Sequence, residues 1–540
     1  MSFAKSSFIP LAAFLAAAVA IAAGWHWLGA GVPMPQAPLG PRDKLQCVSY
    51  APFRGWQTPF DPATRIERWQ IEDDLARLKP LTDCIRTYST ELGLDQVPDV
   101  ARRYGLKVLL GIWLGREERK NRIEIDSAVA LARRYPDVVS ALVVGNEVLL
   151  RGELSAAALA GIIRNVKAQT AVPVTYADVW EFWTRFREVS EAVDFVTIHI
   201  LPYWEDFPIP AREAAAHVAS IRRQVAAIFP GKEILIGETG WPSQGRMREG
   251  ALPSPSNQAR VIQDILAAGQ REHFRINLIE AFDQPWKRLL EGTVGGHWGL
   301  LDAATRERKF EWGAPVSDHP LWRWQAGGGV LLALCAFAAA LIGRGGAAAS
   351  GGAALWSGVA VNAVAGGLMA GLAAEKMLVE SLGAGGFARS MVLVALSAAV
   401  PVAASAALAR GLAPPAFARV LARRDERISQ PLALLLGLCA VALTLMAIQA
   451  ALGLAFDPRY RDFPFAALTA ATIPLAVVAW AVPRGKGRRG AAEIACAFTL
   501  VSAAGYIAFN ESFANWQSLW FCGAIVLLAL TLLRARDARD

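Results

Sequence analysis

KEILIGETGWPSQG, residues 232–245, runs an apolar segment into a carboxylate, Glu238, and then turns the chain through Gly-Trp-Pro. KEILI reads as a buried strand, so the glutamate stands at its carboxyl end. The same pattern recurs along the chain. LQCVSYAPF (45–53), CIRTYST (84–90), KVLLGIWL (107–114), VVSALVVGNE (138–147), VPVTYADV (172–179) and FVTIHILPYW (195–204) precede it, and NLIEAFDQPW (277–286) follows EILIGETGW (233–241). Between these runs lie helical patterns: RIERWQIEDDLARLK (65–79), SAVALARRY (127–135), SAAALAGIIRNVKAQ (155–169) and EAAAHVASIRRQVAAI (213–228). Strands alternating with amphipathic helices predict a parallel sheet. Eight repeats in one domain fit an α/β (β/α)8 TIM barrel, whose active site lies at the carboxyl ends of the strands.

The remainder of the 540 residues is different in kind. From Trp324 to Arg534 the text is Ala, Leu, Gly and Val broken by short basic stretches. Apolar runs of about 17–25 residues are transmembrane candidates. One lies near 8–28 and seven more near 325–343, 352–374, 390–409, 431–453, 464–483, 493–510 and 517–533. The predicted organisation is therefore an amino-terminal anchor or signal (1–28), a linker (29–44), the barrel (45–322), a seven-helix all-α polytopic transmembrane bundle (323–534) and a short tail (535–540). The first run follows Lys5 and is rich in small residues, as in a removable signal peptide, but it is long enough to span and reads better as an uncleaved anchor.

The net charge of +8 has a local origin. With the amino terminus cytoplasmic, the inside segments hold 14 Lys and Arg, at Lys5, Arg344, 410–430, 484–493 and 534–540. The outside connections hold Lys376, Arg389, Arg459 and Arg461. This asymmetry predicts both termini inside and the barrel outside the cytoplasm, with a bacterial inner membrane and a periplasmic barrel fitting best. It gives the basic balance a topological meaning rather than one in nucleic-acid binding. Of six cysteines, Cys335, Cys439, Cys496 and Cys522 fall in membrane runs and read as small apolar packers. Cys47 and Cys84 fall in the first two strands, where they either pair or remain two buried thiols.

Polar residues concentrate at the strand ends: Tyr50, Arg54, Tyr88, Asn146, Glu147, His199, Tyr203, Glu238, Asp283, Gln284 and Lys287. Glu147 and Glu238 close the fourth and seventh strands. Two carboxylates facing one cleft are the equipment of glycosidic bond cleavage, one giving a proton and the other attacking the anomeric carbon. Either alone reads equally well as an ion-pair partner of a barrel arginine; the pair together points to chemistry. Of eleven tryptophans in the domain, Trp113, Trp180, Trp183, Trp204, Trp241, Trp286 and Trp298 follow or end strands. They are expected to line a saccharide cleft, because a flat ring covers the C–H face of a sugar. No H-E-x-x-H, CxxC or Walker loop occurs, and GAGG (383–386) lacks the strand and helix of a dinucleotide site, so no metal or cofactor is expected.

VGNE (144–147), GETGWPS (237–243), EAFDQPWK (280–287) and HWGL (297–300) together resemble glycoside hydrolase family 17, the β-1,3-glucan-active barrels. The resemblance covers about 45–312. It implies a retaining double displacement with Glu147 as acid/base and Glu238 as nucleophile, and Asn146 bonding the hydroxyl at carbon 2. Tyr50, Tyr88, Tyr176, His199, Tyr203, Trp241, Asp283, Trp286, Lys287 and Trp298 are the further substrate-binding candidates. Gln284 and Gly295 stand where many relatives carry glutamates. The expected donor and acceptor are β-1,3-glucan or laminari-oligosaccharides, with a lipid bilayer and a separate glucan synthase as neighbours. A β-1,3-glucanosyltransferase that remodels, branches or cyclises glucan is the leading expectation, ahead of an endo-β-1,3-glucanase. The third reading is a polytopic glucan exporter with a saccharide-binding ectodomain. Transport pathways usually need charge within the membrane, whereas the seven carboxyl-terminal spans are expected to be free of Asp, Glu, Lys, Arg and His, with Asn362 and Gln449 as the polar exceptions. GxxxG at Gly367 and Gly371 reads as close helix packing.

Overall fold

The structure, a computed structural model, describes residues 2–40, 42–344, 352–421, 430–483 and 489–535. Most of the arginines and the lysine of the basic connections at 422–429, 484–488 and 536–540 lie outside the described residues. The chain divides into a unit at Val32–Val316 and a helical unit made of Met1–Gly31 and Ser317–Asp540.

The first unit is a closed parallel barrel with its eight strands in sequence order. These are β1 (Cys47–Ser49), β2 (Cys84–Arg86), β3 (Lys107–Ile112), β4 (Val139–Asn146), β5 (Val174–Val179), β6 (Val196–His199), β7 (Ile234–Thr239) and β8 (Arg275–Leu278). β1 to β7 each lie within a run expected from its apolar text, and β8 begins two residues before the run expected at 277–286. The four helical patterns also form helices, at Arg68–Leu78, within Glu118–Arg134, at Ala156–Lys167 and at Ala211–Ile228. Local chemistry fixes where helices begin. The Ser155 hydroxyl accepts from the Ala158 amide at 3.3 Å, and Ser254 accepts from Asn257 at 3.2 Å with Pro255 opening the helix.

Small and medium side chains fill the barrel: Cys47, Leu109, Ala141, Val143, Ala177, Phe195 and Leu235 pack together there, as a closed eight-stranded barrel requires. Register slips between Val143 and Asn146, between Ile198 and His199, and between Ile236 and Thr239. These irregularities fall at the carboxyl ends of β4, β6 and β7, where the chain leaves regular pairing and side chains are re-aimed. The segment 32–40 is packed on the same unit: Val32 bridges Val316, and Arg260 and Gln270 donate to the carbonyls of Pro33 and Pro38.

In the helical unit every expected apolar run is a helix. Phe8–Gly29, Trp322–Gly343, Ala353–Glu380, Gly383–Arg410, Pro431–Phe456 and Ala491–Asn510 are long and apolar enough to cross a membrane. Phe465–Ala481 and Trp516–Leu532 are shorter apolar helices. Gly367 works as expected of a GxxxG glycine: a Cβ there would stand 2.9 Å from the Gly329 carbonyl and 2.5 Å from Ile21. The helices overshoot the predicted spans, however. They take in Glu375, Lys376, Glu380 and Arg389 at their ends, and the helix over the run at 493–510 carries Glu493, which corrects the expectation of charge-free helices. These groups are partnered locally: Lys376 with Glu380, Glu375 with His319 at 2.9 Å and Gln325 at 2.6 Å, and Glu493 with the Phe417 amide at 2.6 Å.

Cys47 and Cys84 form a disulfide between neighbouring strands, which settles the two readings of this pair in favour of the bridge. It closes a loop across a sequence separation of 37, for which chain entropy predicts about 3–4 kcal/mol of stabilisation. Replacing both cysteines with serine should lower the urea midpoint of tryptophan fluorescence by that equivalent. A thiol reductant should lower the midpoint of the native protein but not that of the variant. Equal midpoints for the two proteins without reductant would refute a structural bridge.

Candidate active site

Glu238 ends β7 and is 4% exposed. A carboxylate this buried is stable as an anion only if donors surround it. They do: Arg86 Nη1 donates to Oε1 at 3.0 Å and the Tyr88 hydroxyl at 2.8 Å. Burial raises the Glu238 carboxyl. His199, Arg86 and Lys287, in that order, outweigh that effect electrostatically and, with the Tyr88 bond, hold it below its ordinary range. Arg86 does more than pair. It also donates to the Gly237 carbonyl at 2.8 Å and to Asn146 Oδ1 at 2.6 Å, and it lies 3.3 Å from His199 Nε2. Tyr88 is itself held as a neutral donor, because burial and the neighbouring Glu238 charge push its phenol well up.

Glu147 follows β4 in a left-handed conformation, φ 54°, two residues after Gly145 at φ 91°. A left-handed glutamate is uncommon and marks a position that its surroundings over-determine. Gly145 is needed there, since a Cβ would stand 2.8 Å from the Val148 side chain in addition to the positive φ. The turn directs the Glu147 carboxylate to His199, with Nδ1 2.9 Å from Oε1. The other imidazole nitrogen is 3.6 Å from Glu238 Oε1, so His199 stands between the two glutamates. A Glu147 oxygen, a Glu238 oxygen and a His199 nitrogen all lie within 4.8 Å of one another. Such a donor set can suit a metal ion by spacing alone, but the Arg86 guanidinium on the same Glu238 oxygen fits an ion-paired anion better. Carboxyl groups about 5–5.5 Å apart are the signature of double displacement, and two oxygens within 4.8 Å agree with it.

Beside this pair lies a second acidic group that the sequence reading missed. Lys287 donates to both oxygens of Glu280, at 2.9 and 3.1 Å. Burial pushes Glu280 up to about 7 against the lowering effect of Lys287. Burial opposes the charge on Lys287, but Glu280 first and then Glu291 and Glu238 raise it. Glu291 is raised by burial, with Lys287 opposing and the charges of Glu147 and Glu238 adding to the rise. Arg86, Asp178 and Glu280 were also legible in one respect: each is a charged residue inside or beside an apolar strand run.

The structure gathers Asn146, Tyr88, His199 and Lys287 around the two glutamates. It does not bring the rest of the expected set there. Tyr50 is buried and donates to Asp74 at 3.0 Å; Tyr203 is buried and donates to the Arg246 carbonyl at 2.9 Å. Tyr176 is buried with its hydroxyl on Asp178, and the indole of Trp241 donates to the Leu252 carbonyl at 3.1 Å. Asp283 is taken up by Lys309 at 2.7 Å and the Gly299 amide at 2.8 Å. Trp298 packs edge-on to Tyr203 inside the core. Each polar atom named is hydrogen-bonded within the protein.

The tryptophan wall shrinks likewise. Trp183, Trp241 and Trp298 are core, whereas Trp113, Trp180, Trp204 and Trp286 keep accessible surface. Trp286 packs edge-on to Phe53 and Phe60 and donates to Gln284 at 2.8 Å. Trp56 and Trp69, unremarked in the sequence, are 86% and 61% exposed.

Residues 47–299 match the BtgE/BtgC glycoside hydrolase domain. A protein of Aspergillus clavatus named probable beta-glucosidase btgE is 29% identical over 276 residues, 50% of this chain and 47% of its own length. A glucan 1,3-beta-glucosidase of Arthroderma benhamiae is 28% identical over 265 residues, 44% of this chain and 83% of its own. A solved active-site mutant of the Rhizomucor miehei beta-1,3-glucanosyltransferase, in complex with laminaritriose, is 25% identical with a TM-score of 0.44, covering 51% of this chain and 97% of that one. The chain spans less than half the length of the btgE relatives it matches. The eight-stranded barrel and its paired strand-end glutamates agree with the glycoside hydrolase domain that residues 47–299 match.

Proposed function

We propose that this protein is a membrane-anchored retaining enzyme of family 17 type acting on β-1,3-glucan, and that its principal reaction is glucanosyl transfer. The observation that carries the proposal is the approach of Glu147 and Glu238 to within 4.8 Å across the strand ends, one of them saturated with cationic and hydroxyl donors. In the first step a Glu238 oxygen bonds to the anomeric carbon as the glycosidic C–O bond breaks, and Glu147 gives its proton to the departing sugar oxygen. In the second, an acceptor hydroxyl loses its proton to Glu147, its oxygen bonds to the anomeric carbon, and the bond to Glu238 breaks. Arg86 and Tyr88 keep Glu238 an anion between turnovers. The substrate class is supported by the name of the glucan 1,3-beta-glucosidase relative.

Both transfer and hydrolysis use this site; context favours transfer. A digestive hydrolase gains little from six or more membrane-long helices, whereas an enzyme that remodels glucan works where the polymer emerges. The Cys47–Cys84 bridge supports an oxidising compartment, in keeping with a barrel on the periplasmic side of a bacterial inner membrane. The enzyme rearranges existing glucan, which a separate synthase polymerises from activated sugar.

Incubation of the full-length protein with laminari-oligosaccharides should give products longer than the substrate. Exclusively shorter products would make it an endo-β-1,3-glucanase. Glu147→Gln and Glu238→Gln should each lower turnover by about 10²–10⁴-fold or more while leaving the protein folded; a turnover within tenfold of native for either would overturn the assignment.

Tyr88→Phe removes one donor to the ionised Glu238. A hydrogen bond to a charged group is worth about 1.5 kcal/mol, or about one pH unit. The Glu238 carboxyl should rise by that amount. Because the nucleophile must be ionised, the acidic limb of kcat/KM should move to higher pH by about one unit. An unmoved limb would show that Tyr88 does not set the charge of Glu238.

A further inference from the structure

Tyr176 and Asp178, buried neighbours on β5, take no part in the reaction as described, yet they hold the backbone that follows Glu147. The Tyr176 hydroxyl accepts from the Leu149 amide at 3.0 Å and donates to Asp178 Oδ2. Asp178 also accepts from the Leu150 amide at 3.4 Å and from the Val179 amide at 2.8 Å. Upstream, the Glu147 amide donates to the Ala177 carbonyl at 2.8 Å, and the Arg151 amide returns to the Glu147 carbonyl at 2.9 Å. The Arg151 guanidinium closes the turn by donating to the carbonyls of Asn146 and Leu114. The left-handed corner at Glu147 is thus pinned from both sides, and the pin on its downstream side is a tyrosine–aspartate couple.

We propose that Tyr176 and Asp178 are positioning residues for Glu147. They fix the corner that aims its carboxyl group at the cleft for donation to a departing sugar, and Asp178 sets a carboxylate beside that group. Asp178 is 0% exposed, and no lysine or arginine lies within ion-pair distance of it among the described residues. Its charge is therefore felt by its neighbours rather than cancelled by a cation. All the hydrogen bonds named at its oxygens are donations to it, as suits the anion. Burial pushes it up to about 6, with the Tyr176 bond opposing, Glu147 adding to the rise and His199 lowering it. Above that pH it is an anion beside Glu147. The groups facing this couple are Glu147 and Arg151 from the end of β4 and His199 from β6. Glu147 is faced in turn by His199, by Glu238 from β7 and by Glu291 from Arg288–Gly295.

The inference rests on the glucan reading above, and its test separates the two. Full-length Asp178→Asn and Tyr176→Phe proteins would be assayed across pH on a laminari-oligosaccharide and on a 2,4-dinitrophenyl β-laminaribioside, whose leaving group departs without a proton. Asp178→Asn should lose roughly 10–100-fold on the oligosaccharide, a part of what a general acid contributes, and less than about threefold on the aryl glycoside. Its alkaline limb on the oligosaccharide should move to lower pH, since removing a nearby anion makes the Glu147 proton easier to lose. Tyr176→Phe should show the same substrate selectivity with a smaller pH displacement, which covers the case in which Asp178→Asn fails to fold. Equal losses on both substrates, an unmoved alkaline limb in Asp178→Asn, or oligosaccharide activity within twofold of native in both variants would overturn the proposal while leaving the glucan reading intact. A native protein inactive on both substrates would overturn the glucan reading and this inference with it.

Discussion

The arrangement at the barrel mouth depends on Arg86. Its guanidinium is essentially buried and reaches from β2 to groups on β4, β6 and β7, none of which pairs with β2 in the sheet. Such a crossing is possible because the interior of an eight-stranded barrel is one side chain wide. It is needed because Glu238 is almost fully buried and poorly solvated. Breaking a buried ion pair by removing one partner typically costs about 3–5 kcal/mol, most of it the cost of the charge left behind. In this site the alternative is protonation of Glu238, which would remove the proposed nucleophile. The same cation that stabilises the core end of the cleft therefore keeps it reactive.

That constraint makes the two glutamates unequal. Donors that favour an anion crowd onto Glu238: a guanidinium, a phenol and, at longer range, an imidazole and Lys287. Glu147 meets one imidazole nitrogen, and its side chain remains 23% exposed. Unequal surroundings are how two identical side chains divide the roles of anion and proton donor. The backbone contributes as well, because Glu147 reaches this position through a left-handed turn while Glu238 lies within β7.

Much of this was readable in the sequence, and the parts that were not share a cause. Apolar runs of strand length separated by amphipathic helices identify a barrel because a parallel strand covered on both faces must be apolar throughout. Polar residues that end those runs, Glu147 and Glu238 among them, then fall at one rim. Aromatic residues at the same rim carry no such information. Trp241 and Trp286 both follow strands, yet one is core and the other half-open, a difference decided by how the later loops fold over them. Tyr176 misleads for a similar reason: its ring suits a sugar platform, but its hydroxyl is committed to Asp178 and the Leu149 amide. Arg86 escaped notice because a single cation in CIRTYST looks like a strand-end surface residue until the barrel closes around it. In the helical unit, apolar text marks the hydrocarbon-length part of each helix but not its end, so Glu375, Lys376 and Glu380 joined a helix that hydropathy had stopped at 374.

The disulfide and the charge asymmetry of the helical connections are independent of one another, since one rests on two barrel cysteines and the other on loops elsewhere in the sequence. Both are in keeping with the proposed placement of the barrel on the oxidising side of a membrane, and such a placement would bear on chemistry. Once a glycosyl–Glu238 ester has formed, the two carboxylates no longer decide its fate; the partition between water and a sugar hydroxyl depends on how often an acceptor occupies the cleft. Holding an enzyme at the surface where a polymer emerges raises the local acceptor concentration in the way that tethering raises any intramolecular encounter. Anchoring and transfer are thus physically linked: the same barrel released into dilute solution would meet water far more often than glucan, and its products would shift toward hydrolysis without any change at Glu147 or Glu238.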